Sequence, residues 1–323
     1  MEKTNGNKQV TFVGKKAIRK GLHIRQERFK IVRKIVAHMT SESWQNIPHC
    51  TSLYEPDVTD FINEFKALRE NLPADKKLTL NTLMLKVVVE GLKAAPHLNA
   101  FLEYNKINAR GALDIVEEIN ISMPLKIDDE NTITVNVQKV NDLTLSQIGE
   151  KVLEIKNKAL NTNLDELYFQ VAFRQSMDDL RELKVIPVLR RLYVSRVGKD
   201  KVHPLSGKAK KEYYRIPESQ RLTIEDVQQG TLVVTNIGSV TPNSPVSTPL
   251  LEIIPPQVIA VAIGPAIEKP GVVAEDGEKI IKPRLFMPIC IAFDHRAFDY
   301  SAVAPFIKKL DEIFANPEII REW

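Results

Sequence analysis

Cysteine is scarce in this chain: Cys50 and Cys290 are the only two among 323 residues, and neither sits in a Cys-x-x-Cys pair. That argues against a disulfide scaffold and a cysteine-based zinc site, and makes the cytoplasm the expected location. Long apolar runs are missing too. None approaches the roughly 20 residues of a membrane helix, so no transmembrane segment is expected. Residues 1–16 are polar and basic without an apolar stretch, which is not the pattern of a secretory signal. His-Glu-x-x-His, a Walker loop and Gly-x-Gly-x-x-Gly are all absent, and with them the simplest metal, nucleotide and dinucleotide readings. There is no Gly-x-Ser-x-Gly elbow, which disfavours an α/β-hydrolase. Aromatic residues make up only 7% and are not interleaved with the basic residues, so no nucleic-acid partner is expected.

What is present is a globular composition. Hydrophobic residues reach 43%, enough for a sizeable core in one large domain or two ordinary ones. The net charge of +4 is unevenly spread. Residues 1–34 hold eleven Lys/Arg against two Glu, and residues 174–221 hold thirteen against six acids. Such patches are most often solvated faces, though they also attract phosphates or acidic partners.

Residues 1–24 read as a basic, flexible lead-in. From Arg25 a helical pattern runs through Phe29, Val32, Val36 and Met39, and Cys50 to Glu55 reads as a strand. Thr59 is placed to cap the next helix, with Ile62, Phe65 and Leu68 on its apolar face. Leu78 to Ala95 is apolar nearly all round, the signature of a buried helix. Strands follow at 101–104, 120–125 and 133–137, the last with clear period-two alternation. Thr144 and Gln147 have the spacing of a capping box. Residues 165–221 lack a clear period: Pro187 to Val194 mixes apolar and basic residues, and Gly198 to Arg221 reads as a loop. Strand character returns at 230–238 and 258–264, and Glu275-Asp276-Gly277 suits a hairpin tip. Val303, Phe306, Ile307, Leu310 and Ile313 define a closing amphipathic helix. Helices and strands alternate without strict βαβ repetition, so the expected class is α+β with a mixed sheet.

Two strand ends carry chemistry. Met287 to Phe293 is an apolar run that stops at Asp294-His295-Arg296, followed by Asp299. A histidine leaving a buried strand is rigidly held and titrates near neutrality, as a general base must, although it could equally pack or cap. The other end is Thr235-Asn236-Ile237-Gly238, whose threonine hydroxyl could donate to an oxyanion or simply be a β-branched strand residue. Together they suit acyl transfer to a thiol or alcohol.

Asp294-His295-Arg296-Ala297-Phe298-Asp299 resembles the Asp-His-Arg-x-x-Asp-Gly signature of dihydrolipoamide acyltransferases, the core subunits of 2-oxoacid dehydrogenase complexes, relatives of chloramphenicol acetyltransferase. Collinear with it, Arg33 to Ala37, Ile47-Pro48-His49, Asp57-Val58-Thr59, Leu80 to Lys86, Gly230 to Gly238 and Ile254 to Gly264 are similar to the same catalytic domain. The resemblance spans residues 25–160 and 228–320. It implies a chloramphenicol acetyltransferase-like, trimer-forming fold: a central mixed sheet flanked by helices, in one domain over residues 25–323. It also implies catalysis by His295 and, from a neighbouring subunit, Thr235, with Asp299 structural and tied to Arg33 or Arg25. Arg296, Asn236, Gly238 and Arg33 are the supporting residues. Coenzyme A or acyl-CoA is the implied substrate, with the lipoyl group supplied in trans by a separate carrier. The implied partners are a homotrimer or an assembly of trimers, with dehydrogenase subunits beside it.

Three departures set further expectations. Tyr300 stands where the family has glycine, so the turn or pocket beside His295 should differ. No lipoyl or peripheral-subunit-binding domain is recognisable. An insertion is expected at about 165–221. The resulting expectation is a CoA-dependent acyltransferase. The alternatives are a non-catalytic or weakly catalytic trimeric scaffold that organises an enzyme complex and, less well matched, a drug-modifying acetyltransferase.

Overall fold

Six strands build one mixed sheet, two of whose adjacent interior strands are buried from end to end, as their apolar runs Ile259–Ile263 and Ile289–Phe293 require. A computed structural model describes residues 29, 31–71, 78–127, 132–181, 183, 185, 186, 188, 189, 204–242 and 244–323. The basic lead-in, Arg25 and most of 187–203 lie outside the described residues.

In chain order the elements are α1 (Ile31–Asn46), β1 (His49–Tyr54), α2 (Thr59–Glu70), α3 (Leu80–Ala94), β2 (Ala100–Asn105), β3 (Arg110–Ile115), β4 (Ile121–Lys126) and β5 (Thr132–Val137). Then come α4 (Leu145–Leu160), α5 (Leu164–Arg181), α6 (Gly207–Tyr213), α7 (Ile224–Val227), β6 (Leu232–Asn236) and β7 (Ile259–Ile263). The chain closes with β8 (Ile267–Glu275), β9 (Glu278–Phe286), β10 (Ile289–Asp294) and α8 (Tyr300–Ala315). The sheet order is β1-β10-β7-β6-β4-β5; β6 runs parallel to β4 and β7, and the other pairs are antiparallel. The hairpins β2–β3 and β8–β9 stand outside it.

The expected α+β class with a mixed sheet is the one observed. Helix α3 is buried on nearly every side, as its sequence requires, and packs with α8 against one face of the sheet. Its single buried cation, Lys86, is satisfied by the Leu143 carbonyl at 2.9 Å and Glu90 at 3.0 Å. Thr144 and Gln147 form the expected capping box at the start of α4. Asp276 and Gly277 both take left-handed φ, 51° and 84°, as a two-residue turn between the paired Glu275 and Glu278 requires.

Two readings change. Thr59 is the first residue of α2 rather than its cap: Asp57 Oδ1 accepts from the Thr59 amide at 3.0 Å and its hydroxyl at 2.6 Å, placing a carboxylate at the positive helix end. Among its described residues, the stretch expected to be irregular at 165–221 contains helices α5 and α6. Buried Glu166 ties the two together by accepting from Leu205 N at 2.9 Å and Tyr214 Oη at 2.8 Å.

The seam between β4 and β6 is closed by a glycine. A Cβ on Gly230 would lie 2.3 Å from the Asn120 carbonyl oxygen, and backbone cannot yield as a side chain can. Gly230→Ala is therefore expected to destabilise the fold by about 2 kcal/mol or more, read as a lower urea midpoint at unchanged slope.

Candidate active site

His295 leaves the sheet one residue beyond β10, and local backbone bonds fix how it leaves. Asp294 N donates to Val258 O at 2.9 Å, and His295 N donates to Pro48 O at 3.1 Å. The Asp294 carbonyl then accepts from Ala297 N and Phe298 N, closing a tight turn. Within it, His295 Nδ1 lies 2.9 Å from the Phe298 carbonyl oxygen. A carbonyl only accepts, so Nδ1 carries the proton and Nε2 is left with the free lone pair. The His295 side chain is 48% exposed and its ring meets Phe293 edge-on, so Nε2 is accessible on a rigid support.

Asp299 Oδ1 lies 3.6 Å from His295 Nδ1, beyond a sound hydrogen bond, and its side chain is 85% exposed. Among the described residues no ion pair joins it to Arg33, which lies exposed on α1. Within the same motif Asp294 does have an arginine partner. It is fully buried and held by Arg296 through Nε at 3.0 Å and Nη2 at 2.5 Å.

Tyr300 does not distort the turn. It is the first residue of α8 and its φ is not left-handed, so no glycine is needed there. Its ring packs edge-on against Phe293 and its hydroxyl donates to Thr51 O at 2.8 Å, pinning α8 to β1.

Thr235 lies on β6, level with Ala262 of β7 and through it with Cys290 of β10. Asn236 Oδ1 accepts from Ser239 N at 3.1 Å and caps the single turn after β6. A Cβ on Gly238 would sit 2.8 Å from Pro265 Cα, so this turn packs tightly against the end of β7. His295 is five residues beyond Cys290, which separates it from Thr235 by about 16 Å along the strands and about 10 Å across them. One chain therefore does not bring His295 and Thr235 to the same reacting atom.

His49 received no role from the sequence beyond its part in a motif. It pairs in register with Asp294, its Nδ1 donates to Ile47 O at 2.9 Å, and its Nε2 accepts from Ile253 N at 3.0 Å. Burial holds its pKa below the usual 6.5, although the Ile47 carbonyl and Asp294 pull it upward. It is thus a neutral brace between β1 and the segment covering the small residues Ala260 and Ala292. Among the described residues no cluster of His, Cys, Asp or Glu could hold a metal ion, and no helix is long and apolar enough to cross a membrane.

The family described as 2-oxoacid dehydrogenases acyltransferase (catalytic domain) matches residues 22–170 and 194–321. The chain belongs to that family. The match breaks only over residues 171–193, a shorter interval than 165–221, and the break begins within α5. Among curated relatives, the dihydrolipoyllysine-residue acetyltransferase component of the pyruvate dehydrogenase complex of Buchnera aphidicola (subsp. Baizongia pistaciae) is 24% identical over 82% of this chain and 48% of its own length. That of Haemophilus influenzae is 22% identical over 88% and 38%. The chain thus spans about half or less of these two relatives. Among solved structures, the cubic core of the pyruvate dehydrogenase multienzyme complex superposes with a TM-score of 0.62 at 19% identity, covering 98% of this chain and 99% of that one. The Azotobacter vinelandii dihydrolipoamide acetyltransferase gives 0.61 at 20% identity with the same coverage. The acyltransferase fold expected from the resemblance is the fold observed.

Proposed function

We propose that this chain is a CoA-dependent acyltransferase of the dihydrolipoamide type, whose active site is completed between two copies. The observation that carries the reading is the Nδ1 bond of His295 to Phe298 O, which reserves Nε2 as a proton acceptor. The separation of His295 and Thr235 within one chain supports a shared site. In the reaction, Nε2 of His295 takes the proton of the coenzyme A thiol as sulfur attacks the thioester carbonyl of the acyl donor. The hydroxyl of Thr235, supplied by the next copy, donates to the resulting oxyanion. Collapse expels the dihydrolipoyl thiolate, which takes the proton back from His295; the reverse direction uses the same groups. Neither Asp299 nor Arg33 is assigned a chemical step.

The assembly proposed is a homotrimer, or a larger particle built from trimers, in the cytoplasm, served by a lipoyl carrier and dehydrogenase subunits in trans. Residues 25–323 act as one catalytic domain in this reading, with an insertion at about 165–221 that includes the stretch 171–193 left out of the family match. The Azotobacter vinelandii relative is described for the role of a serine, a histidine and an asparagine in its catalytic mechanism, which supports assigning a hydroxyl and an imidazole here. The scaffold alternative loses one of its motives, because Tyr300 fits an ordinary helix start.

The test is turnover of acetyl-CoA with free dihydrolipoamide by the full chain, alongside native mass measurement. Acetyl-dihydrolipoamide formation by a species of three copies or a multiple of three is expected. A correctly assembled protein that forms no product would overturn the reading.

A further inference from the structure

The turn bearing His295 is braced from outside the sheet. Asp294 is fully buried yet carries a carboxylate, and such a group holds its place only while its charge and lone pairs are matched. Arg296 matches them: its backbone N donates to Oδ1 at 2.9 Å, its Nε to Oδ1 at 3.0 Å and its Nη2 to Oδ2 at 2.5 Å. The guanidinium lies over the ring of Tyr104, 5.2 Å from the centroid. Tyr104 belongs to the β2–β3 hairpin, which is anchored near the same place by Leu102 N donating to Pro256 O at 2.8 Å. The contacts therefore run without a gap from hairpin to guanidinium, to buried carboxylate, and to the Asp294–Phe298 turn that holds the His295 Nδ1 proton.

We propose that Tyr104 is a positioning residue for His295, acting through Arg296 and Asp294. Its aromatic face holds the guanidinium flat against the carboxylate, where a flexible alternative would let Arg296 swing into solvent. The effect on catalysis rests on the acyltransferase reading above, whereas the effect on the imidazole does not.

The experiment uses the full, assembled chain with ¹⁵N-labelled histidine, the His295 signals being assigned by their loss in His295→Ala. Wild type is expected to show a single Nδ1–H tautomer. Tyr104→Ala is expected to show exchange between tautomers, together with a kcat for acetyl transfer lowered by about three- to tenfold at a KM for acetyl-CoA within about twofold. Tyr104→Phe keeps the aromatic face and is expected to restore both readouts. If Tyr104→Ala does not fold, Tyr104→Leu, which keeps bulk but not the π face, is expected to give the same tautomer exchange. Wild-type nitrogen signals and kcat in the Ala or Leu variant would overturn the proposal. So would a change confined to KM, because it would place Tyr104 on the substrate. If wild type transfers no acetyl group, the acyltransferase reading fails, and the tautomer signal alone still decides whether Tyr104 positions His295.

Discussion

His295→Ala is expected to lower kcat for acetyl transfer from acetyl-CoA to dihydrolipoamide by about 10²–10⁴-fold, the usual contribution of a positioned general base. The KM for acetyl-CoA should change little, because the imidazole acts on the proton in flight and not on the bound nucleotide. The fold should survive, since the side chain is half exposed and, among the described residues, its one hydrogen bond is to the neighbouring Phe298 carbonyl. Thermal unfolding should therefore be nearly unchanged, which separates lost chemistry from lost structure. Raising the pH should partly rescue the variant, because a larger share of thiol is ionised without help as the pH nears the ordinary thiol pKa of about 8.5. A variant that turned over at the wild-type rate would show that His295 is not the base.

Thr235→Ala is expected to cost about 10²–10³-fold in kcat, the effect of removing one donor to a developing oxyanion. The more decisive result comes from mixing. Each variant alone is expected to be nearly inactive, but co-refolded Thr235→Ala and His295→Ala chains are expected to regain about a quarter of wild-type activity, since each proposed shared site would draw its two residues from independently chosen copies. The sheet register motivates this: Thr235 and His295 sit at opposite ends of the same three strands. No recovery from mixed assemblies of confirmed composition would mean that the two residues do not meet across a subunit boundary.

Much of the frame was legible because its signals are local. The all-round apolar α3, the Thr144–Gln147 box and the Asp276-Gly277 turn each declare themselves within a few residues, and so does the strand that ends at His295. Helix α5 was not legible, because it buries Leu167 near its start while Phe173, Met177 and Leu180 stay exposed further along. An averaged pattern over that stretch shows no single apolar face. The start of α2 is not legible to the residue because Thr59 and Asp57 both have capping chemistry, and only their hydrogen bonds show that Asp57 accepts from Thr59, the first helical residue. The brace by His49 depends on Ile253, and the stacking of Arg296 depends on Tyr104; both are long-range pairings that no local period records. The separation of Thr235 from His295 is likewise a property of strand order, invisible until β7 is placed between β6 and β10.

If the chain transfers acyl groups as proposed, that separation has a consequence for how activated acyl groups are used. Under the proposed shared site, a newly made copy not yet joined to others would carry His295 without the Thr235 hydroxyl beside it. It would bring a thioester near His295 without lowering the barrier to its breakdown, so water gains no catalysed route to the acyl carbon. In that reading subunit association would act as a safety catch: catalysed thioester breakdown would wait for a completed site, and dilution below the association threshold would silence transfer without creating a hydrolase.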